Sequence, residues 1–360
     1  MRGQYLDAVY GLGHLIAGRG EAPLDWGDPR LLGWSNLLAT AVWPALDEDT
    51  RIRFRAELEG FAVAHALNTD RNGALLVQLE RVVVRLNAAG IEPIILKGMS
   101  HLATGLWPTS GSRLVSDIDL LVAPDEMDPA FSALEDLAGI GPQDRGHPEV
   151  NARHKHMMPV IGAGGPAAVE LHHALYAGTD ARVAPPEMLR ERAQTVGIGM
   201  GRAKILSPTD RVLTAMMHGP AGNGTYLVPT LQMRDMLDIR FLDRSHGAEI
   251  DWSWIQDHLS AVGWTAALEI TNACLERFTG MPPPFAAPGL FTRLDAARWI
   301  RQMERDSRVL RQMGSAANHL NYTIGSLRAG GEPRRRILRK LVEANTYRTA
   351  FRRYIHGKEP

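Results

Sequence analysis

The spacing of hydrophobic positions changes twice along the chain, from helical periodicity to short apolar runs and back. Residues 1–72 are rich in Leu, Ala and Trp, and residues 51–67 show helix-like spacing. A helical pattern over residues 74–90 ends at a glycine, and a short apolar run at residues 91–96 follows it. The pattern predicts helices within residues 1–72, then a helix over 74–90, a turn, and a strand over 91–96.

An alternation of short elements continues through the middle of the chain. The predicted elements are a helix over residues 99–107, a loop over 108–112, a strand over 116–122, a helix over 124–141, and strands over 154–162 and 167–173. The glycine-rich stretch 162–166 suits a hairpin turn between the last two strands. This order predicts an α/β or α+β core with a small mixed sheet backed by helices.

Beyond about residue 205 the pattern predicts helices. Ser207 is the expected N-cap of the first one, with Pro208 at the first helical position and Asp210 in the first turn. We therefore divide the chain into an N-terminal helical region (1–72), a core (73–204) and a C-terminal helical domain with a basic tail (205–360).

Composition restricts the compartment and the partners. The 360 residues carry 40 basic and 40 acidic side chains, so no overall charge draws the protein toward nucleic acid. The single cysteine, Cys274, cannot form an internal disulfide, which favours a reducing compartment. Asp7 and His14 interrupt the apolar residues near the start, and the chain lacks an apolar run of the roughly 20 residues that a membrane helix needs. We expect a cytoplasmic protein without membrane insertion.

Two aspartates stand one residue apart in the apolar strand SDIDLLV. Because side chains alternate along a strand, Asp117 and Asp119 share one face while Ile118 and Leu120 share the other. Two carboxylates this close need a cation between them or a proton on one of them. A divalent ion such as magnesium, shared with substrate phosphates, is one interpretation. The alternative is a solvated edge strand that carries two acids.

Other polar residues near this strand add to the first interpretation. Lys97 and Gly98 end one strand and open a helix, where a glycine lets backbone N–H groups approach a phosphate. Lys97 adds a point charge and Arg113 a bidentate one. Glu170, an acid inside another apolar strand, could complete a three-carboxylate metal site. Surface charge for the cations and a structural salt bridge for Glu170 are the alternatives.

Several histidines are placed where they could form a metal site. His154 and His156 alternate onto one strand face, and His172 follows after a turn. We interpret one or two of them as lining the acceptor or nucleotide pocket, with partly buried polar residues as the alternative. His218 and Asp235 flank a glycine-rich loop that could close over substrate, with a plain connecting loop as the alternative.

The segment 334–358 is strongly basic and amphipathic. Such a helix can bind RNA, anionic lipid or a partner protein. More often, the apolar stripe of such a helix packs on its own domain and its arginines stay in water.

The stretch from residue 94 to residue 122 resembles the signature of the nucleotidyltransferase superfamily, and specifically of the bacterial uncharacterised nucleotidyltransferases. The motif is carried by Lys97-Gly98, Trp107-Pro108, Arg113 and Asp117-Ile118-Asp119. The likeness continues with VELHH at residues 169–173 and covers roughly residues 75–255.

The resemblance implies transfer of a nucleoside monophosphate from an NTP, with ATP expected, to an acceptor, with release of pyrophosphate. Asp117 and Asp119 would hold magnesium or manganese, and Glu170 would help a second metal or act as base. Lys97 with the Gly98 backbone would steady the leaving phosphates. The other expected nucleotide contacts are Ser100, Arg113 and Ser116.

The acceptor is expected to be a small molecule, a peptide or an RNA end, with RNA favoured only by the basic tail. Two other functions remain open. One is a nucleotide-binding regulatory module without turnover. The other is a metal-dependent hydrolase that uses His154 or His156.

Overall fold

The structure is a computed structural model that describes residues 2–19, 24–138, 157, 159–223, 226, 232–286, 289–304 and 318. The helices before the sheet are α1 (Arg2–Ile16), α2 (Leu31–Ser35), α3 (Ala39–Ala45), α4 (Glu48–Arg53) and the long α5 (Glu59–Ala88). Inside the predicted helical stretch 51–67, α4 ends and α5 begins, with a run of turns between them. The expected boundary at residue 72 falls inside α5.

The sheet is small and mixed, as predicted. Its strands are β1 (Ile94–Ile95), β2 (Ile118–Leu121), β3 (Val169–His172), β4 (Gln194–Ile198) and β5 (Gly201–Ile205). They lie in the order β3-β2-β1-β5-β4. The β2–β3 and β1–β5 pairs are parallel, whereas β1–β2 and β4–β5 are antiparallel. The β4–β5 hairpin, which turns at Gly199 with a φ of 54°, is absent from the predicted elements.

The predicted hairpin before β3 is present in the described residues. Val160 forms an antiparallel bridge with Val169, and the Met157 N–H donates to the carbonyl of Leu171 at 3.0 Å. His154, His156 and the basic segment 334–358 lie outside the described residues.

Helices connect and follow the strands. They are α6 (Lys97–Ala103), α7 (Met127–Ala138), α8 (Pro186–Arg192), α9 (Pro208–Met217), α10 (Met233–His246), α11 (Trp252–Ala261), α12 (Thr265–Thr279) and α13 (Leu290–Glu304). The predicted cap of α9 is confirmed, because the Ser207 side chain accepts from the N–H of Asp210. In the described part of the chain, no helix combines the length and apolar character that crossing a membrane requires.

Two hydrophobic cores lie on opposite sides of the sheet. One buries Ile118 and Leu120 of β2 against α5 and α7. The other takes the opposite face, including Leu121, together with the N-terminal helices and the helices after β5. The second face is the one on which the polar side chains of β2 and β3 lie, so the polar face of the sheet looks toward the C-terminal helices.

Candidate active site

The pairing of β2 with β3 places polar side chains beside one another. Asp119 lies opposite Glu170, and Leu121 lies opposite His172. Residues in register on parallel neighbours share a face, and residues two apart on one strand do so as well. Asp119, Glu170 and His172 therefore occupy one face, and Asp117 directly precedes β2.

Asp119 is the centre of this group and is almost fully buried. Its Oδ1 accepts a hydrogen bond from Lys97 Nζ at 2.6 Å and contacts His172 Nε2 at 2.7 Å. His172 Nε2 also lies 3.4 Å from Glu170 Oε2. Burial by itself would raise the pKa of Asp119, but the bond from His172 and the charge of Lys97 outweigh burial and lower it. Asp119 is therefore held ionised.

Three side chains here offer atoms suited to a metal ion. Ligand atoms of Asp119, Glu170 and His172 all lie within 4.8 Å of one another. Carboxylate oxygens are the ligands that magnesium prefers, and an added imidazole also suits manganese and later transition metals. The donor set therefore fits a divalent cation, with His172 in the group alongside two of the predicted carboxylates.

Asp117 stands beside this group and lines the adjoining cleft. Its Oδ1 accepts from the Ser116 hydroxyl at 3.0 Å. Burial, and then the charge of Asp119, raises the pKa of Asp117 above its ordinary value. A cation near both carboxylates would relieve the repulsion that raises this pKa.

Lys97 reaches Asp119 from a strained backbone position. Its φ of 47° lies in the left-handed region, which costs a non-glycine residue roughly 1–2 kcal/mol. The preceding N–H, that of Leu96, donates to the Asp119 carbonyl at 3.0 Å, and the Ser100 hydroxyl donates to the Lys97 carbonyl at 2.8 Å. These bonds hold the turn that brings the ammonium to the carboxylate.

Arg113 makes a buried bidentate ion pair with Asp238 of α10. Its Nε donates to Oδ1 at 2.8 Å and its Nη2 donates to Oδ2 at 2.6 Å. The Trp107 indole N–H donates to the same Oδ1 at 2.7 Å. Burial opposes ionisation of Asp238, but the charge of Arg113 prevails and lowers its pKa to about 2. This pair ties the loop after α6 to the C-terminal helices.

Gly98 leaves room for the Arg113 guanidinium. A Cβ on Gly98 would lie 2.1 Å from Arg113 Nη1 and 3.0 Å from Cζ, far inside contact distance. The glycine therefore has a packing reason in the structure. Its predicted contact with a phosphate, and that of Arg113, stay predictions.

A second buried contact joins α6 to α9. Arg211 Nη2 donates to His101 Nδ1 at 2.7 Å and to Thr104 Oγ1 at 3.0 Å. Burial lowers the pKa of His101 to about 3, with help from the charges of Arg211 and Arg113. The charge of Asp238 acts in the opposite direction but does not outweigh them. His101 is therefore neutral, and His101 Nε2 lies 3.5 Å from Asp238 Oδ2.

Side chains of α5 hold the loop that carries Arg113. Asn68 donates to the carbonyl of Gly111 at 2.7 Å, and Asn72 donates to that of Arg113 at 2.8 Å. Arg71 donates to the carbonyl of Val115. The loop is irregular, yet α5 satisfies several of its carbonyls, and these bonds position the residues before β2.

A cleft of about 370 Å³ lies between the polar face of the sheet and the C-terminal helices. Of the predicted site residues, it is lined by Lys97, Gly98, Ser100, Arg113, Ser116, Asp117 and Asp119. The opposite wall includes charged residues of α9 and α10 and the residue after α9: Arg211, His218, Arg234, Asp235 and Asp238. His218 Nδ1 lies 2.9 Å from Asp235 Oδ2.

The arrangement agrees with a comparison against protein families. The model of a family described as uncharacterised nucleotidyltransferase matches residues 36–280, more than half of the chain. The chain belongs to this family. Comparisons with curated proteins and with solved structures gave no match. The match confirms the predicted family and enzyme class, and the mixed sheet with its flanking helices confirms the predicted fold class.

The sequence indicated only His218 and Asp235 on the opposite wall of this nucleotidyltransferase. Arg211, Arg234 and Asp238 had no assigned role, although the segment MRDMLDI at 233–239 puts three charges into an apolar helical pattern. In the structure Asp235 and Asp238 are buried, and buried charges of this kind are rare unless they are paired or functional. Charges inside an apolar helical stripe were the available signal.

Proposed function

We propose that this nucleotidyltransferase moves a nucleoside monophosphate from an NTP, with ATP the expected donor, to a hydroxyl or phosphate of an acceptor and releases pyrophosphate. The observation that carries the proposal is the group of Asp119, Glu170 and His172, with ligand atoms within 4.8 Å, beside a cleft lined by cations. Family membership supports the reaction class.

Asp117, Asp119 and Glu170 would hold a divalent cation, magnesium or manganese, which supplies charge neutralisation at the phosphates. The acceptor oxygen attacks the α-phosphorus, and the bond from that phosphorus to the bridging oxygen breaks, so pyrophosphate leaves with the bond electrons. Glu170, half-buried next to Asp119, accepts the proton when the acceptor is a hydroxyl. Lys97 and His172 keep Asp119 ionised and in place.

The two walls of the cleft present different groups to the substrates. The sheet side presents carboxylates to the metal-bound phosphates, and Ser100 and Ser116 lie on this side. On the helical side lies His218, held by Asp235, and the apolar side chains of Leu175 (after β3) and Leu206 (after β5) also line the cleft, as a place for an acceptor. A small molecule, a peptide or an RNA end would meet these groups.

His172 supports a second candidate, a metal-dependent hydrolase that cleaves a phosphate ester with an imidazole among its ligands. A hydrolase would release a nucleotide product into solution, whereas a transferase attaches the label to an acceptor. Product analysis separates the two. A regulatory module would bind the NTP and yield neither product.

The test incubates the protein with α-labelled NTPs, magnesium or manganese, and a cell extract divided into RNA, protein and small-molecule fractions. Asp119→Asn is compared with Asp125→Asn, which removes an exposed carboxylate just after β2. We expect Asp119→Asn to lower label transfer at least roughly a hundredfold, since it removes a charge that acts at the phosphates. The Asp125 variant should match wild type. Undiminished transfer by Asp119→Asn would refute the proposed site.

A further inference from the structure

The cations predicted to bind phosphate already have carboxylate partners. Lys97 Nζ lies 2.6 Å from Asp119, and the Arg113 guanidinium is bidentate with Asp238. Each pair is largely or fully buried, so its positive charge is offset locally. A polyphosphate needs cations that are not offset in this way, and the helical wall of the cleft provides two.

Arg211 of α9 is one of them. It is only 4 % exposed and lines the cleft. Its Nη2 is bonded to the neutral His101 and to Thr104, and its buried Nε has no hydrogen-bond partner. Within the part of the chain that the structure describes, no carboxylate oxygen lies within 4.0 Å of this guanidinium. Burial lowers the pKa of Arg211 to about 10, which leaves it charged at neutral pH.

Arg234 of α10 is the other. It is half-buried, lines the same cleft, and donates from Nη1 to the carbonyl of Leu114 at 2.8 Å. Among the described residues it too has no carboxylate oxygen within 4.0 Å. Burial, followed by repulsion from Arg113, lowers its pKa. Both effects disfavour the charged form of Arg234, and a bound anion would stabilise it.

The uncompensated charges of the two walls are complementary to a metal polyphosphate. On the sheet side, Asp117 has the Ser116 hydroxyl as its hydrogen-bond partner and forms no ion pair in the described part of the chain. On the helical side, Arg211 and Arg234 lack anions. A buried charge without a partner is costly, so each wall favours a ligand of the opposite sign. A cation bound to a chain of phosphates carries both signs in one molecule.

We propose that Arg211 and Arg234 bind the phosphate groups of a polyphosphate in this cleft. The identity of that polyphosphate as the triphosphate of an NTP rests on the proposed function. The phosphate site formed by the two guanidinium groups does not rest on it. That site follows from the burial of Arg211 and Arg234 and from their lack of carboxylate partners among the described residues. The phosphate-binding charges thus come from the C-terminal helices, opposite the carboxylates.

Inorganic tripolyphosphate tests the site without metal or turnover. Its binding is measured by titration calorimetry in EDTA with wild type, Arg211→Gln, Arg234→Gln and the control Arg240→Gln. Arg240 lies on the same helix as Arg234 but is paired with Asp243 at 3.3 Å and does not line the cleft. A charged hydrogen bond lost in each cleft variant should weaken binding roughly tenfold or more. The control should bind within about twofold of wild type.

Three results would overturn the inference: no binding by wild type, unchanged affinity in Arg234→Gln, or equal weakening in the Arg240 control. Arg234→Gln keeps the test decisive if Arg211→Gln fails to fold, which a circular dichroism melt detects. Tripolyphosphate binding without label transfer in any fraction would sink the proposed function and leave this site standing. Label transfer with unchanged affinity in Arg234→Gln would do the reverse.

Discussion

The Arg113–Asp238 pair should be a principal link between the sheet and the C-terminal helices, and Asp238→Asn tests this. Asp238 is 1 % exposed and accepts two N–H bonds from Arg113 and one from Trp107. Asparagine keeps the shape but removes the charge, and its amide N–H₂ group faces an N–H donor. The guanidinium then stays buried without an anion.

The magnitude follows from burial. Breaking a buried ion pair by removing one partner typically costs about 3–5 kcal/mol, because an uncompensated charge stays in the interior. An exposed pair is worth about 1 kcal/mol or less. Arg240 and Asp243, on the same helix, form a half-buried pair whose side chains are 20 % and 28 % exposed, so water still screens it in part. We therefore expect a loss of about 3–5 kcal/mol for Asp238→Asn and under about 1 kcal/mol for Asp243→Asn.

Urea unfolding followed by circular dichroism measures both losses. A double-mutant cycle with Arg113→Met then gives the coupling energy, expected at about 1–3 kcal/mol. If Asp238→Asn lowers the free energy of unfolding by less than about 1 kcal/mol, or if the coupling energy is near zero, this pair does not hold the sheet and the C-terminal helices together.

Two further predictions concern the neighbours of this pair. Gly98→Ala puts a methyl 2.1 Å from Arg113 Nη1, so the fixed guanidinium must shift. We expect the free energy of unfolding, measured in urea, to fall by about 1–3 kcal/mol. An unfolding midpoint equal to that of wild type would contradict the packing role. His101 has a native pKa of about 3 against an ordinary 6.5, so between these values the unfolded chain binds a proton that the native state does not. Stability should therefore fall as the pH drops from about 6.5 toward 3, by up to about 1.4 kcal/mol per pH unit. His101→Gln should flatten that slope in urea titrations at pH 4–6, and an unchanged slope would assign it to other groups.

Much of the candidate site was visible in local patterns. Period-two alternation put Asp117 and Asp119 on one face and Ile118 and Leu120 on the other, and the structure buries the apolar pair in the core beside α5. A cap signal at Ser207 located the start of α9. Both features depend on neighbours within a few residues, which is the range that periodicity and capping report.

The β4–β5 hairpin was missed because its glycines and polar residues interrupt the apolar alternation. Gln194 and Thr195 are exposed, while Ala203 on the partner strand is buried. Pairing with β1 on the far side stabilises this edge of the sheet, and such stabilisation is decided by tertiary contact rather than by local preference.

The sequence by itself determined the family and predicted which residues carry the chemistry: the paired aspartates, the third carboxylate, and the lysine and glycine at the end of a strand. Only the tertiary structure decided what each charge is paired with. Lys97 meets Asp119 across 22 positions, and Arg113 meets Asp238 across 125. An ion pair depends on distance and burial in space, which periodicity does not encode, so the fold alone separated the compensated cations from Arg211 and Arg234.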